Sequence, residues 1–462
     1  VRRFYLILFS AVLLRTQAYA QFIKPFHAGD RVVFVGNSIT DGGHYHSYIW
    51  LYYMTRFPDQ RIDIFNAGIG GDVSKQIYER LDDDVFPRNP TVVTLTFGMN
   101  DTGYKLITGA VADSTYKAKV AESLKNFKLI VAKYQQHAGV RKILIASPPY
   151  DETSKMKFMA FTGKNNAILR IADSMQQAAK NNHWDFVDFN RPLTAINLEQ
   201  QQADSLFSLE NADRIHPTND GQMAMAYVFL KAQGLAGKKV AEAVINAGDS
   251  RIEKSDNCTI SNAHLGGNAI AFTYLAKSLP YPMDTIPSGF GKPQRTQADA
   301  SKLIAFNDEF NQELLVVKAL PAGQYSLKID DQIIGTWAAA DYAKGINLGV
   351  INTTPQYQQA LAVMQLNEER WTIERRLREY YWLEFSILKP KGLLFNDSES
   401  TIDSLQKYAK KDFFVAITIP TYQKARFKAV RDAWKKEMEL LTDDIYSINK
   451  PVAHRFEIAP VR

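Results

Sequence analysis

The chain has 462 residues, 46% hydrophobic and 23% charged, a globular balance large enough for a sizeable core and two or three structural units. Its 55 Lys+Arg against 49 Asp+Glu give a formal net charge of +6, but the signs are interspersed with no basic block, which argues against a nucleic-acid partner. One cysteine, Cys258, excludes an intrachain disulfide and a cysteine-rich metal site, and reads as a small buried hydrophobe.

Residues 1–20 read as a signal peptide. Arg2-Arg3 forms a short positive region, Phe4 to Leu14 an apolar region too short to span a bilayer comfortably, and Ala18-Tyr19-Ala20 a small-x-small cleavage site. The expectation is a bacterial protein exported to the periplasm or medium, with no stable membrane insertion. The absence of disulfide-forming cysteines suits a bacterial envelope better than a small stapled eukaryotic domain.

From Arg31 to about Leu235 short apolar strands alternate with amphipathic helices. Strands are predicted at Val32–Val35, Arg61–Asn66, Val92–Phe97, Lys142–Ala146 and Trp184–Asp188. Helices are predicted at Ser47–Thr55, Val73–Asp83, Thr115–Gln136, Asn165–Asn181 and Asp220–Gln233. This alternation predicts βαβ units and a mainly parallel sheet with helices on both faces, over a domain of residues 21–237. Over 238–345 period-two patterns predict a β-sandwich-like module, with strands at Ile252–Ile260, Ala269–Leu275, Ser301–Phe306, Glu313–Ala319, Gly323–Ile329 and Gln332–Trp337. Residues 346–462 read as helical, with one long pattern from Tyr357 to about Leu388 and another over Tyr422–Leu441, taken together as a docking hairpin whose aromatic residues pack.

Four stretches carry candidate chemistry. They are Gly36-Asn37-Ser38 after the first strand, Asn66-Ala67-Gly68-Ile69-Gly70-Gly71-Asp72 after the second, Phe97-Gly98-Met99-Asn100-Asp101 after the third, and Asp213-Arg214-Ile215-His216 before the closing helix. Acyl transfer needs a nucleophile, a base, a group that holds the base, and donors for the tetrahedral oxyanion. Ser38 can attack, His216 can take and return the proton, and Asp213 can fix the imidazole tautomer. The backbone N–H groups of Ser38 and Gly71 and the Asn100 amide can form the oxyanion hole. Singly, each stretch also reads as a turn or a helix cap; in this order, each at a predicted strand end or helix start, they read as one site.

The set resembles the SGNH, or GDSL-type, hydrolase family, with its blocks falling on Ser38, Gly71, Asn100 and His216 and with Asp213 as the triad acid. The resemblance spans roughly Arg31 to Gln233. It implies a flavodoxin-like three-layer α/β/α hydrolase domain and a serine esterase, thioesterase or lipase activity without a metal or other cofactor. One departure is Asn37, where the family usually carries Asp before the serine.

Further substrate-binding candidates are His44, His46, Asp72 and Tyr150, with Asp41 and Asp101 on the same loops. No His-x-x-x-His pair, cysteine cluster or Walker-type loop calls for a metal or nucleotide. The expected function is hydrolysis of short acyl esters, acetyl foremost, on a small ester or acylated polysaccharide. The appended β module supports the carbohydrate part by analogy only. The alternatives are a lipase or thioesterase for longer acyl chains and a non-catalytic carbohydrate-binding envelope protein.

Overall fold

The computed structural model describes residues 22–105, 110–158, 160–265, 269–287 and 294–461, with the side chains of 110–112 left aside. The targeting segment read over residues 1–20 lies outside them.

The chain begins with β1 (Arg31–Gly36), α1 (Ser38–Gly42), α2 (Tyr45–Arg56), β2 (Asp63–Gly68), α3 (Ser74–Arg80), β3 (Val92–Phe97), α4 (Ala110–Gln136), β4 (Arg141–Ala146), α5 (Lys164–Asn182), β5 (Asp185–Asp188), α6 (Asn190–Gln200) and α7 (Asn219–Ala232). The five strands pair in parallel in the order β2-β1-β3-β4-β5, the flavodoxin-like doubly wound arrangement. Such strands are covered on both faces, which is why they read as nearly unbroken apolar runs. Val32 and Phe34 of β1 pack with Tyr45, Ile49, Met223 and Phe229 of α2 and α7, whereas Val33 and Val35 pack with Ile77, Phe127 and Ile171 of α3, α4 and α5.

The second part comprises β6 (Ala241–Asn246), β7 (Arg251–Asp256), β8 (Cys258–His264), β9 (Ile270–Ala276), α8 (Phe306–Phe310), β10 (Glu313–Lys318), β11 (Gln324–Ile329), β12 (Gln332–Ala338), α9 (Ala339–Lys344) and β13 (Ile346–Asn347). It is followed by α10 (Pro355–Trp382), α11 (Glu399–Ala409), α12 (Phe413–Ala425), α13 (Lys428–Ile448) and a last strand, β14 (His454–Pro460). A four-stranded sheet, β13-β10-β6-β7, and a five-stranded sheet, β12-β11-β14-β9-β8, share one core. Ala243, Ile245, Leu315 and Val317 fill it from the first sheet, Phe272, Leu327 and Phe456 from the second.

Several expectations are corrected. Ser301–Phe306 is not a strand: a 3₁₀ turn at Ala298–Lys302 leads into α8, whose Phe306 and Phe310, four residues apart, stack at 5.2 Å and bury together. The Ile252–Ile260 pattern divides into β7 and β8 because Asn257 turns the chain at φ 52°. The Tyr422–Leu441 pattern divides between α12 and α13, and α11 lies between the two predicted helices, so the described C-terminal residues form four α-helices rather than a hairpin. β14, read with the helices, sits between β9 and β11 and completes the second sheet.

Candidate active site

β1 lies between β2 and β3, so the loops at the carboxyl ends of these strands meet where the strand order reverses. The Ile69 N–H donates to the Gly36 carbonyl at 3.1 Å, and the Asn100 Nδ2 donates to the Asp72 carbonyl at 2.9 Å. Ser38 opens α1, capped by Asn37, whose Oδ1 accepts from the Ile39 N–H at 3.1 Å. A neutral amide therefore fills the position where the family carries Asp, and its role here is to cap the helix.

The loop ahead of α7 returns to this corner. It is closed by bonds from the Asn211 N–H to the His216 carbonyl (2.8 Å) and from the Thr218 N–H to the Leu209 carbonyl (2.9 Å). The buried Arg214 guanidinium ties it down through the carbonyls of Asp151, Ser154, Met156 and Phe158. His216 Nε2 lies 2.8 Å from Ser38 Oγ, and His216 Nδ1 lies 2.6 Å from Asp213 Oδ2. Asp213 Oδ1 also accepts from the N–H groups of Ile215 (2.8 Å) and His216 (3.0 Å). Burial pushes the Asp213 carboxyl up, but its bonds and charge interaction with His216 outweigh that and hold it below the usual range. The carboxylate stays ionised beside the ring.

On the opposite side stand the candidate oxyanion donors. Gly71 has φ +86°, a left-handed conformation that disfavours a side chain, and a Cβ built on it meets nothing within 4 Å, so the backbone is open. Its N–H has no acceptor among the described residues. Asn100 is held at both ends: Tyr104 Oη donates to its Oδ1 and its Nδ2 reaches the Asp72 carbonyl, which leaves a second amide hydrogen. Lys164 Nζ braces the same turn from beneath through Met99 O (2.7 Å), Thr102 Oγ1 (2.7 Å) and Gly103 O (2.8 Å).

Ser38, Gly71, Asn100, His216 and His44 all line one cavity of about 690 Å³, with Asp213 behind the imidazole. His44 stacks on Trp371 at 4.0 Å and pairs with Glu368 at 3.2 Å. Three other candidates do not reach the cavity. His46 is buried against Phe34, its Nε2 is 3.1 Å from the Thr40 carbonyl, and burial pushes its pKa down to about 4. Asp72 turns inward to Arg80 at 2.7 Å. Tyr150 is buried, stacked on Phe161 and accepting its N–H. Asp101 turns back to cap Ser74 and Gly98, while Asp41 lines the cavity, paired with Arg375 at 2.6 Å.

The remaining walls come from residues that no local motif announced. Phe413, Phe414 and Ile417 of α12 line the cavity although 71%, 54% and 55% exposed, and Arg375, Glu379 and Trp382 of α10 complete it. The one local signal for α12 is Asp412, whose Oδ1 caps the N–H groups of Phe414 and Val415. The apolar run that follows suits a strand or a helix equally.

A GDSL-like lipase/acylhydrolase family model matches residues 34–224, and a model described as the diltiazem deacetylase C-terminal helical domain matches residues 361–450. The structure of a gut microbial diltiazem-metabolizing enzyme superposes with a TM-score of 0.93 at 49% sequence identity, covering 96% of this chain and 100% of that one. An acetylxylan esterase from Geobacillus stearothermophilus is 23% identical over 224 residues, which is 45% of this chain and 95% of the relative. The chain belongs to the SGNH/GDSL esterase family and is a hydrolase of ester bonds.

Proposed function

We propose that the protein is an exported serine esterase that removes short acyl groups, acetyl foremost, with Ser38 as nucleophile, His216 as general base and acid, and Asp213 orienting the imidazole. The observation that carries this reading is the unbroken Ser38–His216–Asp213 hydrogen-bond relay at 2.8 and 2.6 Å on the wall of the cavity. Ser38 Oγ attacks the ester carbonyl as its proton passes to His216 Nε2. The tetrahedral oxyanion is met by the N–H groups of Ser38 and Gly71 and by the Asn100 amide, donors whose individual loss typically costs about 3–4 kcal/mol. Collapse returns the proton to the leaving alcohol, and water repeats the sequence on the acyl-enzyme.

The alcohol portion lies along the apolar wall of α12. Acetylated carbohydrate, whose ring C–H faces pack on aromatic side chains, fits this wall, and so does a bulky apolar acetate. The acetylxylan esterase relative supports the first form and the diltiazem-metabolizing relative the second. Ser38→Ala abolishes acetate release from aryl acetates and acetylated glycans and abolishes labelling by a fluorophosphonate. Undiminished turnover in that variant sinks the mechanism.

A second reading, hydrolysis of longer acyl esters, draws on the same exposed Phe413, Phe414 and Ile417, which offer an apolar chain a surface. A series from acetate to decanoate esters separates the readings: kcat/KM highest for acetate supports the first, and a peak at long chains supports the second.

A further inference from the structure

One stripe of α10 grips both loops that frame Ser38. Glu374, Arg375, Arg378 and Trp382 recur at positions that share a helix face. Glu374 Oε1 accepts from the Asn66 N–H at 2.8 Å, and Arg375 Nη1 reaches the Asp41 carbonyl and Oδ1, each at 2.6 Å. Arg378 donates to the Gly68 carbonyl through Nε (3.0 Å) and Nη2 (2.8 Å), and Trp382 Nε1 donates to the Gly70 carbonyl at 3.2 Å.

The consequence is local to the oxyanion loop. The Gly68 N–H is held by Asn66 Oδ1 (2.8 Å), the Ile69 N–H by Gly36 O (3.1 Å), the Ile69 carbonyl by the Asp72 N–H (3.2 Å), and the Asp72 carbonyl by Asn100. Between these fixed points the Gly71 N–H has no acceptor among the described residues, and the space beside its Cα is open. The two carbonyls before it, at Gly68 and Gly70, are held by side chains more than 300 positions away in sequence. Arg378 is itself locked, completely buried, by Asp84 at 2.9 and 3.0 Å. Asp84 in turn binds Arg80 and Arg88, and Arg80 also holds the Gly36 carbonyl at 3.0 Å.

We propose that α10 is a positioning element for the oxyanion side of the site: Arg378 and Trp382, by holding the Gly68 and Gly70 carbonyls, fix the Gly71 N–H before substrate arrives. The inference rests on the serine-esterase reading above. A donor displaced by a fraction of an ångström loses much of its effect on a developing oxyanion, while substrate binding along the cavity walls is largely unaffected. The helical C-terminal region is thus part of the chemistry, not only a wall of the cavity.

The test is aryl acetate hydrolysis normalised to active sites counted by fluorophosphonate titration. Trp382→Phe keeps an aromatic ring in the cavity wall while removing the five-membered part of the indole and with it the Nε1 donor. Its kcat per titrated site is expected to fall about 10-fold with KM within about threefold, and Arg378→Met is expected to fall about 100-fold, partly recovered in Arg378→Lys. A merely structural role lowers the number of titrated sites and the Tm but leaves the turnover of each site unchanged. Wild-type kcat per site in Trp382→Phe therefore overturns the proposal, even if Arg378→Met fails to fold. Ser38→Ala, run alongside, separates the two levels: persistent turnover there overturns the assignment of Ser38 as nucleophile as well, whereas a dead Ser38→Ala beside a fully active Trp382→Phe overturns the positioning role alone.

Discussion

Asp213→Asn is the most discriminating single change, because it preserves shape and reverses one hydrogen bond. In the wild-type chain Oδ2 accepts the His216 Nδ1–H at 2.6 Å, while Oδ1 takes the N–H groups of Ile215 and His216 at 2.8 and 3.0 Å. Asparagine can place its carbonyl oxygen at the Oδ1 position and keep both backbone bonds, so the loop holds its form. Its NH₂ then faces Nδ1, which must become an acceptor, and the ring proton moves to Nε2. Nε2–H at 2.8 Å from Ser38 Oγ is a donor and cannot accept the serine proton. Inverting the tautomer in a Ser-His-Asp relay costs about 10⁴ in kcat, about 5 kcal/mol of transition-state stabilisation. Measured with an aryl acetate at neutral pH, Asp213→Asn should show that loss at a Tm within a few degrees of wild type. Activity above about a tenth of wild type in a folded Asn variant would refute the assignment of Asp213 as the residue that orients the base.

Other consequences concern stability and selectivity. Glu210, behind the His216 loop, is fully buried, and burial together with the nearby Asp151 raises its pKa to about 8. A raised folded-state pKa makes the associated stability fully present below about pH 4 and lost as pH rises to 8, so resistance to urea should fall between about pH 5 and 8 and level off above that. Glu210→Gln should flatten that slope by an amount on the order of 3–5 kcal/mol at full ionisation; an unchanged slope counts against a neutral Glu210. Burial would raise the Asp84 carboxyl, but Arg378, Arg88 and Arg80 hold it well below the usual carboxylate range. Asp84→Asn strands buried guanidinium charge and should cost about 3–5 kcal/mol in chemical denaturation, and a change below 1 kcal/mol would contradict the network. Phe414→Ala, in the exposed wall, should leave Tm nearly unchanged yet lower kcat/KM by about 10-fold for acetates of bulky apolar alcohols, with the deficit shrinking as the alcohol portion shrinks. A size-independent effect would place the alcohol portion elsewhere.

Much of the site was legible because each of its pieces is local. A β-branched run followed by Gly36-Asn37-Ser38, or a glycine-rich turn ending at Gly71, encodes its own strand end, and the strand order β2-β1-β3 then places three such ends side by side. Asp213 and His216 lie in one short loop, so their pairing is written in their spacing. His46, Asp72 and Tyr150 were misplaced because position on a loop does not say which way a side chain turns. Core packing on Phe34, a buried arginine and a stack with Phe161 decided that.

What the sequence by itself determined, then, was the parallel sheet, the turn that presents Ser38 and the short loop that pairs Asp213 with His216, since hydrophobic period and turn chemistry act over a few residues. Only the tertiary structure decided that β14 closes a sheet begun some 200 residues earlier, that α12 walls the cavity, and that α10 grips the Gly68 and Gly70 carbonyls. The physical reason is the same in each case. A helical or strand pattern declares that one face must be covered, but which partner covers it is fixed by long-range packing and by buried charges that find each other only in the folded chain.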